Sequence, residues 1–394
     1  MKIGMILDAP YPIDPRVTNE AKALIKAGNK VFLFCLSYTK NFKKNEVING
    51  INVVRFYCSG ITYRLSALAY TFPFYKWIMT RKIKNFIKEY NVDALHIHDL
   101  QIASSVFNAN SNFNLNITLD LHENRPEIMK FYKHVNSFLG KLFIYPSKWK
   151  KAEERYCKRS NSVVVVTDLA KKELVERTEI NEDKVLIFSN TVSKSFYTST
   201  NVDNRIIKKY SNSFVLLYLG NTSKRRGLDT VIKAIPETIN YITNFKLIIV
   251  GSSSYDQELV QLAKSYNVLK YIDFEGWKNE NLFPSYIKAA DLGLSPLNNN
   301  LHHQTTYANK LFQYMSLGCP VICSNVEAQK VLLETYNVGL LFKTENSKDL
   351  VKKILKLYYD KGLRKIMSQN CINAIQNHLN NDIISKSLVN YYDQ

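Results

Sequence analysis

Four ionisable side chains crowd the stretch LDLHENRPE: Asp120, His122, Glu123 and Arg125 fall within six residues, just after an apolar run. A strand end holding so many titratable groups suits proton handling or hydrogen bonding to a polar ligand. His122 is the candidate catalytic residue, able to bond a hydroxyl or take up a proton. Glu123 reads as well as a cap of the next helix. A second cluster is cationic. LYLGNTSKRRGLDTVIKA sets Lys224, Arg225 and Arg226 before Gly227 and a helical run. Cations at a glycine-bounded helix start suit a diphosphate; an exposed basic turn is the plainer alternative. VGSSSYD, residues 250–256, is a small-residue loop in which backbone at Gly251 could approach a ligand.

Three further stretches carry polar groups in telling places. In DAPYPIDPRV, Asp14 caps a helix that Pro15 opens, and Arg16 stands by its N-terminus, where it meets either a phosphate or a surface carboxylate. In HIHDL, His96 and His98 are expected on opposite faces of a strand, which would defeat a simple two-histidine metal site. In YANKLFQYMSLG, Asn309, Lys310 and Gln313 interrupt an otherwise apolar helix, and Asn309 and Gln313, four apart, share a face. The chain has no G-x-G-x-x-G, no G-x-x-x-x-G-K-[ST] and no Asp-x-Asp. Standard dinucleotide, P-loop and diphosphate–metal readings are therefore weak.

The elements that must position these residues alternate strand and helix. Continuous apolar runs at 3–7, 31–36, 94–97, 117–121, 162–166 and 185–188 read as strands buried on both faces. The pattern pauses over the polar residues 191–212, then restarts at 214–219, 246–250, 271–274, 292–295, 321–323 and 340–342. This predicts an α/β chain of two doubly wound, Rossmann-like domains that face each other across a cleft and join near residue 200. The expected bounds are 1–195, 196–375 and a C-terminal helix, 376–394, returning to the first domain. A single (β/α)₈ barrel would need fewer strands and no central break. Ligands are expected beyond the C-terminal ends of the strands.

The 394 residues, 46% hydrophobic and 22% charged, exclude a disordered chain. Six scattered cysteines without Cys-x-x-Cys point to a reducing, cytosolic compartment and no structural zinc. The first residues read as a strand rather than a signal peptide, and no run is apolar enough to span a membrane. The net charge of +19 favours anionic partners. Residues 61–88 hold six Lys/Arg, no acid and seven aromatics; residues 130–159 hold nine Lys/Arg, two acids and seven aromatics. Aromatics among cations suit docking on an anionic membrane, with a buried core under a solvated face as the alternative. No helix-turn-helix, RNP or zinc pattern supports nucleic acid as a partner.

In order and spacing, DPRVTNEAKALIKAGNKVFLF, DALHIHDL, LDLHENRPE, IFSNTVS, LYLGNTSKRRGLDTVIKA, KLIIVGSSS, AADLGLSPL and NKLFQYMSLGCPVICSN resemble the family 4 glycosyltransferases of GT-B fold over nearly the whole chain. The resemblance implies a retaining transfer from a nucleotide-sugar with no cofactor and no bound metal. It puts the diphosphate at Arg226 and Lys310 and the ribose at Gln313, and with Asn309, Arg16 and Gly251 these make the expected donor-binding set. His122 would orient the sugar. The acceptor it implies, given the basic aromatic segments, is a lipid-linked saccharide of bacterial surface polysaccharide assembly. The protein would then be cytoplasmic, peripheral on the inner face of the cell membrane. Three positions depart from the family: Gln313 and Thr305 stand where it has glutamates, and Asn221 where it often has arginine. A non-catalytic GT-B partner with a degenerate donor site is the alternative they raise.

Overall fold

The computed structural model describes residues 1–12, 14–198 and 202–393, so the join expected near residue 200 falls on residues outside those described. The chain forms two compact units, Met1–Ser189 with Ile384–Gln394, and Asn190–Ile383.

The first unit holds an eight-stranded sheet in the order β3-β4-β2-β1-β5-β6-β7-β8. Its strands are β1 (Lys2–Leu7), β2 (Lys30–Ser37), β3 (Asn45–Ile48), β4 (Ile51–Tyr57), β5 (Ala94–His98), β6 (Asn116–Asp120), β7 (Ser162–Val165) and β8 (Val185–Ile187). All neighbours are parallel except β3 and β4. That antiparallel pair is absent from the apolar-run reading, because β3 alternates exposed with half-buried residues and Asn52 and Arg55 interrupt the buried Ile51, Val53 and Val54 of β4. Its signal was the turn: Asn49 and Gly50 both take positive φ, 52° and 81°, as a two-residue hairpin turn requires.

The second unit is an all-parallel six-stranded sheet, β11-β10-β9-β12-β13-β14. These strands are β9 (Phe214–Leu219), β10 (Phe245–Val250), β11 (Ile272–Gly276), β12 (Leu292–Ser295), β13 (Val321–Ser324) and β14 (Gly339–Phe342). Chain order reverses at β9, whose neighbours are β10 and β12, so the loops after β9 and β12 part from each other there. In open parallel sheets that parting is the ligand crevice.

The units end elsewhere than the expected bounds. Val192 packs in the second core with Ala374, Ile375 and Leu379, and the Thr191 hydroxyl donates to the Leu379 carbonyl. Residues 190–195 and 376–383 therefore belong to the second unit. Only the last stretch, with the helix Lys386–Tyr392, packs in the first. Ser387 Oγ there donates to Ile187 O at 2.8 Å, and the Tyr392 hydroxyl to Thr118 Oγ1 at 2.9 Å.

Candidate functional site

In the second unit, the loop after β9 tightens into a 3₁₀ turn at Lys224–Arg226 and enters the helix Leu228–Thr238 through Gly227. Gly227 has φ 75°, and a Cβ there would lie 1.8 Å from Pro296 O, so only glycine lets this turn press on the loop after β12. Gly251, which follows β10, has φ 140°, and its Cβ would lie 1.9 Å from Gly220 O. The two small-residue loops thus touch backbone to backbone beside the basic turn.

Lys310 comes from the helix Asn309–Ser316, whose N-cap, Ala308, offers no side-chain acceptor. Its ammonium group is buried, lies 3.4 Å from the Tyr218 ring centroid and has no hydrogen-bond partner among the described residues. Burial, then the charges of Arg226 and Arg225, push its pKa well below the lysine value. Arg226 Nε is likewise buried without a partner among the described residues, although the residue as a whole is only partly buried. Arg225 Nη1 donates to His303 Nε2 at 3.0 Å, and His303 Nδ1 donates in turn to Asn298 O at 2.7 Å. Burial and the neighbouring cations hold His303 down to about 3, so the neutral ring can accept from arginine. One turn along the helix, Gln313 is nearly buried and its Nε2 donates to Glu280 Oε1 at 3.0 Å. Asn309 is exposed at the helix start. Arg226, Lys310, Gln313 and Gly251 therefore gather around the parting of β9 and β12. Tyr218, His303 and Glu280 join them without having been marked in the sequence: an apolar run, a histidine pair in a polar loop and a lone surface acid carry no pattern of their own.

The first unit holds a different assembly. Arg16 is buried, not at the surface and not open to a phosphate. It donates to both oxygens of Asp120 at 3.0 and 2.6 Å and to Phe188 O at 2.5 Å, and pairs with Glu20 at 3.1 Å. The expected phosphate contact at Arg16 is corrected on that ground: buried carboxylates occupy its fork. His96 and His98 also need correcting. Side chains two apart on a strand project to one face, and their ring centroids lie 4.8 Å apart. With Glu20 and Asp120 they bring four buried ligand atoms within 4.8 Å of one another, the donor set of a metal site. Arg16 already lies against both carboxylates, so a dication there would meet a guanidinium.

His122 stands at the rim of this network, Nε2 2.7 Å from Asp120 and Nδ1 3.3 Å from Asp14. Burial works to lower its pKa, but Asp120 and then Asp99 outweigh it and hold it well above the usual value. Despite burial, Arg16 and His122 keep Asp120 well below the carboxylate range. Asp14, against its burial, is drawn down to about 2 by His122, and its carboxylate also caps the helix Pro15–Lys26 at Arg16 N, 2.9 Å away. Burial, then Asp120, raises Glu20 to about 8, and burial lowers His96 to about 4. Two cations thus balance two anions, which is how so many charges stay buried.

Two family descriptions match this chain. Residues 15–196 match "Glycosyltransferase Family 4", and residues 200–374 match "Glycosyl transferases group 1". The chain belongs to the family 4 glycosyltransferases. An uncharacterized glycosyltransferase of Methanocaldococcus jannaschii is 26% identical over 227 residues, 57% of this chain and 56% of that one. The capsular polysaccharide biosynthesis glycosyltransferase CapM of Staphylococcus aureus is 22% identical over 59% of this chain and 62% of its own length. This glycosyltransferase thus spans less than two thirds of either. It spans more of the phosphatidyl-myo-inositol mannosyltransferase of Mycolicibacterium smegmatis: 22% identity over 92% of this chain and 86% of that one. Among solved structures, the sucrose-phosphate synthase of Thermosynechococcus elongatus superposes with TM-score 0.79 at 16% identity over 100% and 98% of the two chains. Anabaena HepE in complex with UDP-glucose gives 0.73 at 14% identity over 100% and 99%. The fold is GT-B.

Proposed function

We propose that this glycosyltransferase moves a hexosyl group from a nucleotide-sugar to a saccharide acceptor with retention of configuration, the second unit holding the donor. The observation that carries the reading is a pair of buried basic nitrogens that have no partner among the described residues. Lys310 Nζ and Arg226 Nε lie beside a helix start with no side-chain cap, a cost in free energy that a diphosphate would offset. When the sugar leaves, negative charge grows on that diphosphate, and cations already in place stabilise it without reorganising. The leaving phosphate oxygen takes the acceptor proton, so no protein base and no metal is required. Gln313 faces the ribose and His122, held charged by Asp120, orients the sugar. HepE, solved with UDP-glucose, supports the donor class.

The acceptor is read as a lipid-linked saccharide of surface polysaccharide assembly, met by the protein on the acidic inner face of the membrane. CapM's role in capsular polysaccharide supports the first part. For the second, the basic aromatic segments divide. Trp149, Tyr75 and Phe86 are core, whereas Phe138, Leu139, Phe74 and Trp77 are 85%, 63%, 50% and 57% exposed. Among the described residues no helix is long and apolar enough to cross a membrane. Gln313 favours a second reading, a non-catalytic partner, because its amide is already engaged by Glu280. Incubation with UDP- and GDP-sugars separates the two. A transferase binds one and slowly hydrolyses it; a non-catalytic partner with a degenerate donor site binds weakly or not at all and turns none over, so absence of binding and turnover with every nucleotide-sugar overturns the transferase reading.

A further inference from the structure

The loops after β9 and β12 are tied together through one histidine. Asn298 N, past β12, donates to Arg225 O in the basic turn at 3.1 Å. His303, 1% exposed in the short helix Leu301–Thr305, sets its Nε2 3.0 Å from Arg225 Nη1. A guanidinium has no acceptor, so Nε2 carries the lone pair and the ring proton sits on Nδ1. Asn298 O accepts from Nδ1 at 2.7 Å. The Asn300 amide nitrogen stands 2.8 Å from the same Nδ1 and, with the proton there, donates to Asn298 O at 3.2 Å instead. Asn300 Oδ1 accepts from His303 N at 3.0 Å and so caps the helix that carries the ring. Every polar atom of this imidazole is committed, and its commitment is to an arginine.

The kind of acceptor matters. In the first unit a buried arginine is held by carboxylates: Arg16 faces Asp120 at 2.6 Å and Glu20 at 3.1 Å, and its charge is balanced within the fold. An imidazole kept neutral by burial orients a guanidinium and cancels none of its charge. Three cations meet at this corner. The charges of Arg226, Arg225 and Lys310 all reach His303, and those of Arg226 and Arg225 reach Lys310. Like charges held so close repel one another, and an anion of high charge density between them reverses the sign of that energy.

We propose that His303 is a positioning residue: its imidazole fixes the Arg225 guanidinium as a third cation on the donor diphosphate, beside Lys310 and Arg226. The inference rests on the donor reading for naming that anion. Without the ring, Arg225 keeps its charge but loses its orientation, and binding must then immobilise a long side chain.

The test is calorimetric titration of the full chain with UDP and GDP, and saturation-transfer NMR with the parent nucleosides, uridine and guanosine. The wild type should bind one of the diphosphates. His303→Ala should weaken that binding about tenfold, the loss of one charge-assisted contact. It should leave the nucleoside bound as in the wild type, a split that general damage to the crevice would not give. His303→Gln, whose amide oxygen is again a neutral acceptor, should recover most of the loss. Arg225→Ala should itself weaken the diphosphate about tenfold, and adding His303→Ala should cost nothing more, because the ring acts only through Arg225. Wild-type diphosphate affinity in folded His303→Ala, an equal loss of nucleoside, no advantage of glutamine over alanine, or full additivity in the double variant overturns the proposal. Arg225 stands on a half-buried turn, so Arg225→Ala reports even if His303→Ala does not fold. Unchanged diphosphate affinity in that variant overturns the proposal by itself. Failure of both diphosphates to bind the wild type would instead defeat the donor reading, and this proposal with it.

Discussion

Lys310 holds its ammonium group 3.4 Å from the centroid of the Tyr218 ring, buried and with no hydrogen-bond acceptor among the described residues. Among the described residues the ring's negative face is its only polar support, and burial with two nearby arginines favours the neutral amine. A diphosphate would reverse that balance. Nucleotide diphosphate binding is therefore expected to take up a proton, and affinity to fall as pH rises from neutral toward the ordinary lysine range. Calorimetry of UDP binding in buffers of different ionisation enthalpy checks this; a heat independent of buffer would place the anion away from Lys310.

Removing either cation should cost transition-state stabilisation. Lys310→Ala and Arg226→Ala are each expected to lower kcat/KM by about 2–4 kcal/mol. Neither should reduce Tm, since neither side chain's unpartnered nitrogen stabilises the apo fold. Near-normal turnover in one variant would show that its cation does not meet the leaving group.

Gln313 and Glu280 make a coupled pair at 3.0 Å. Gln313→Glu would set two carboxylates together, and like charges so close raise a pKa rather than both ionise. UDP binding should weaken in the single variant. It should recover in Gln313→Glu with Glu280→Gln, which restores one amide and one carboxylate. A double-mutant cycle with no coupling would separate the two residues in function.

The Arg16–Asp120–His122 network gives the first unit a pH signature. His122 has its pKa raised on folding, so its contribution is complete below the unfolded value near 6.5 and is lost as pH rises through the folded one. Asp120, depressed on folding, contributes above the unfolded value near 3.8 and loses that as pH falls through its folded one. Tm of the wild type should decline toward alkaline pH more steeply than that of His122→Gln. Asp120→Asn, which removes the buried charge facing both Arg16 and His122, should cost about 3–5 kcal/mol by chemical denaturation.

Membrane docking should need both charge and insertion. Charge reversal at Lys148, Lys150 and Lys151 is expected to abolish cosedimentation with acidic vesicles, and salt to weaken it, screening acting over about 10 Å at 0.1 M. Phe138→Ser with Leu139→Ser should weaken it at any salt, each buried side chain contributing up to about 2 kcal/mol. Equal binding to neutral vesicles would remove the electrostatic component.

Local pattern alone determined a good deal of this protein. Strands buried on both faces must be apolar throughout, so β1, β2, β5–β7, β9, β10, β12 and β13 stand out as runs, with β8, β11 and β14 half-buried at the sheet edges, and helices between them force parallel sheets. Glycine's tolerance of positive φ made the turn at Gly227 legible beside its cations. What stayed hidden depends on residues far apart in sequence. Arg16 looks like a surface cation until Asp120, 104 residues on, and Phe188, 172 residues on, are seen to occupy its guanidinium. Glu280 lies 33 residues from Gln313, and Asp8 67 residues from Tyr75. A side chain's type fixes what it can bond; only the packed chain decides whether a partner is already there, and so whether a charge is structural or waiting for a ligand.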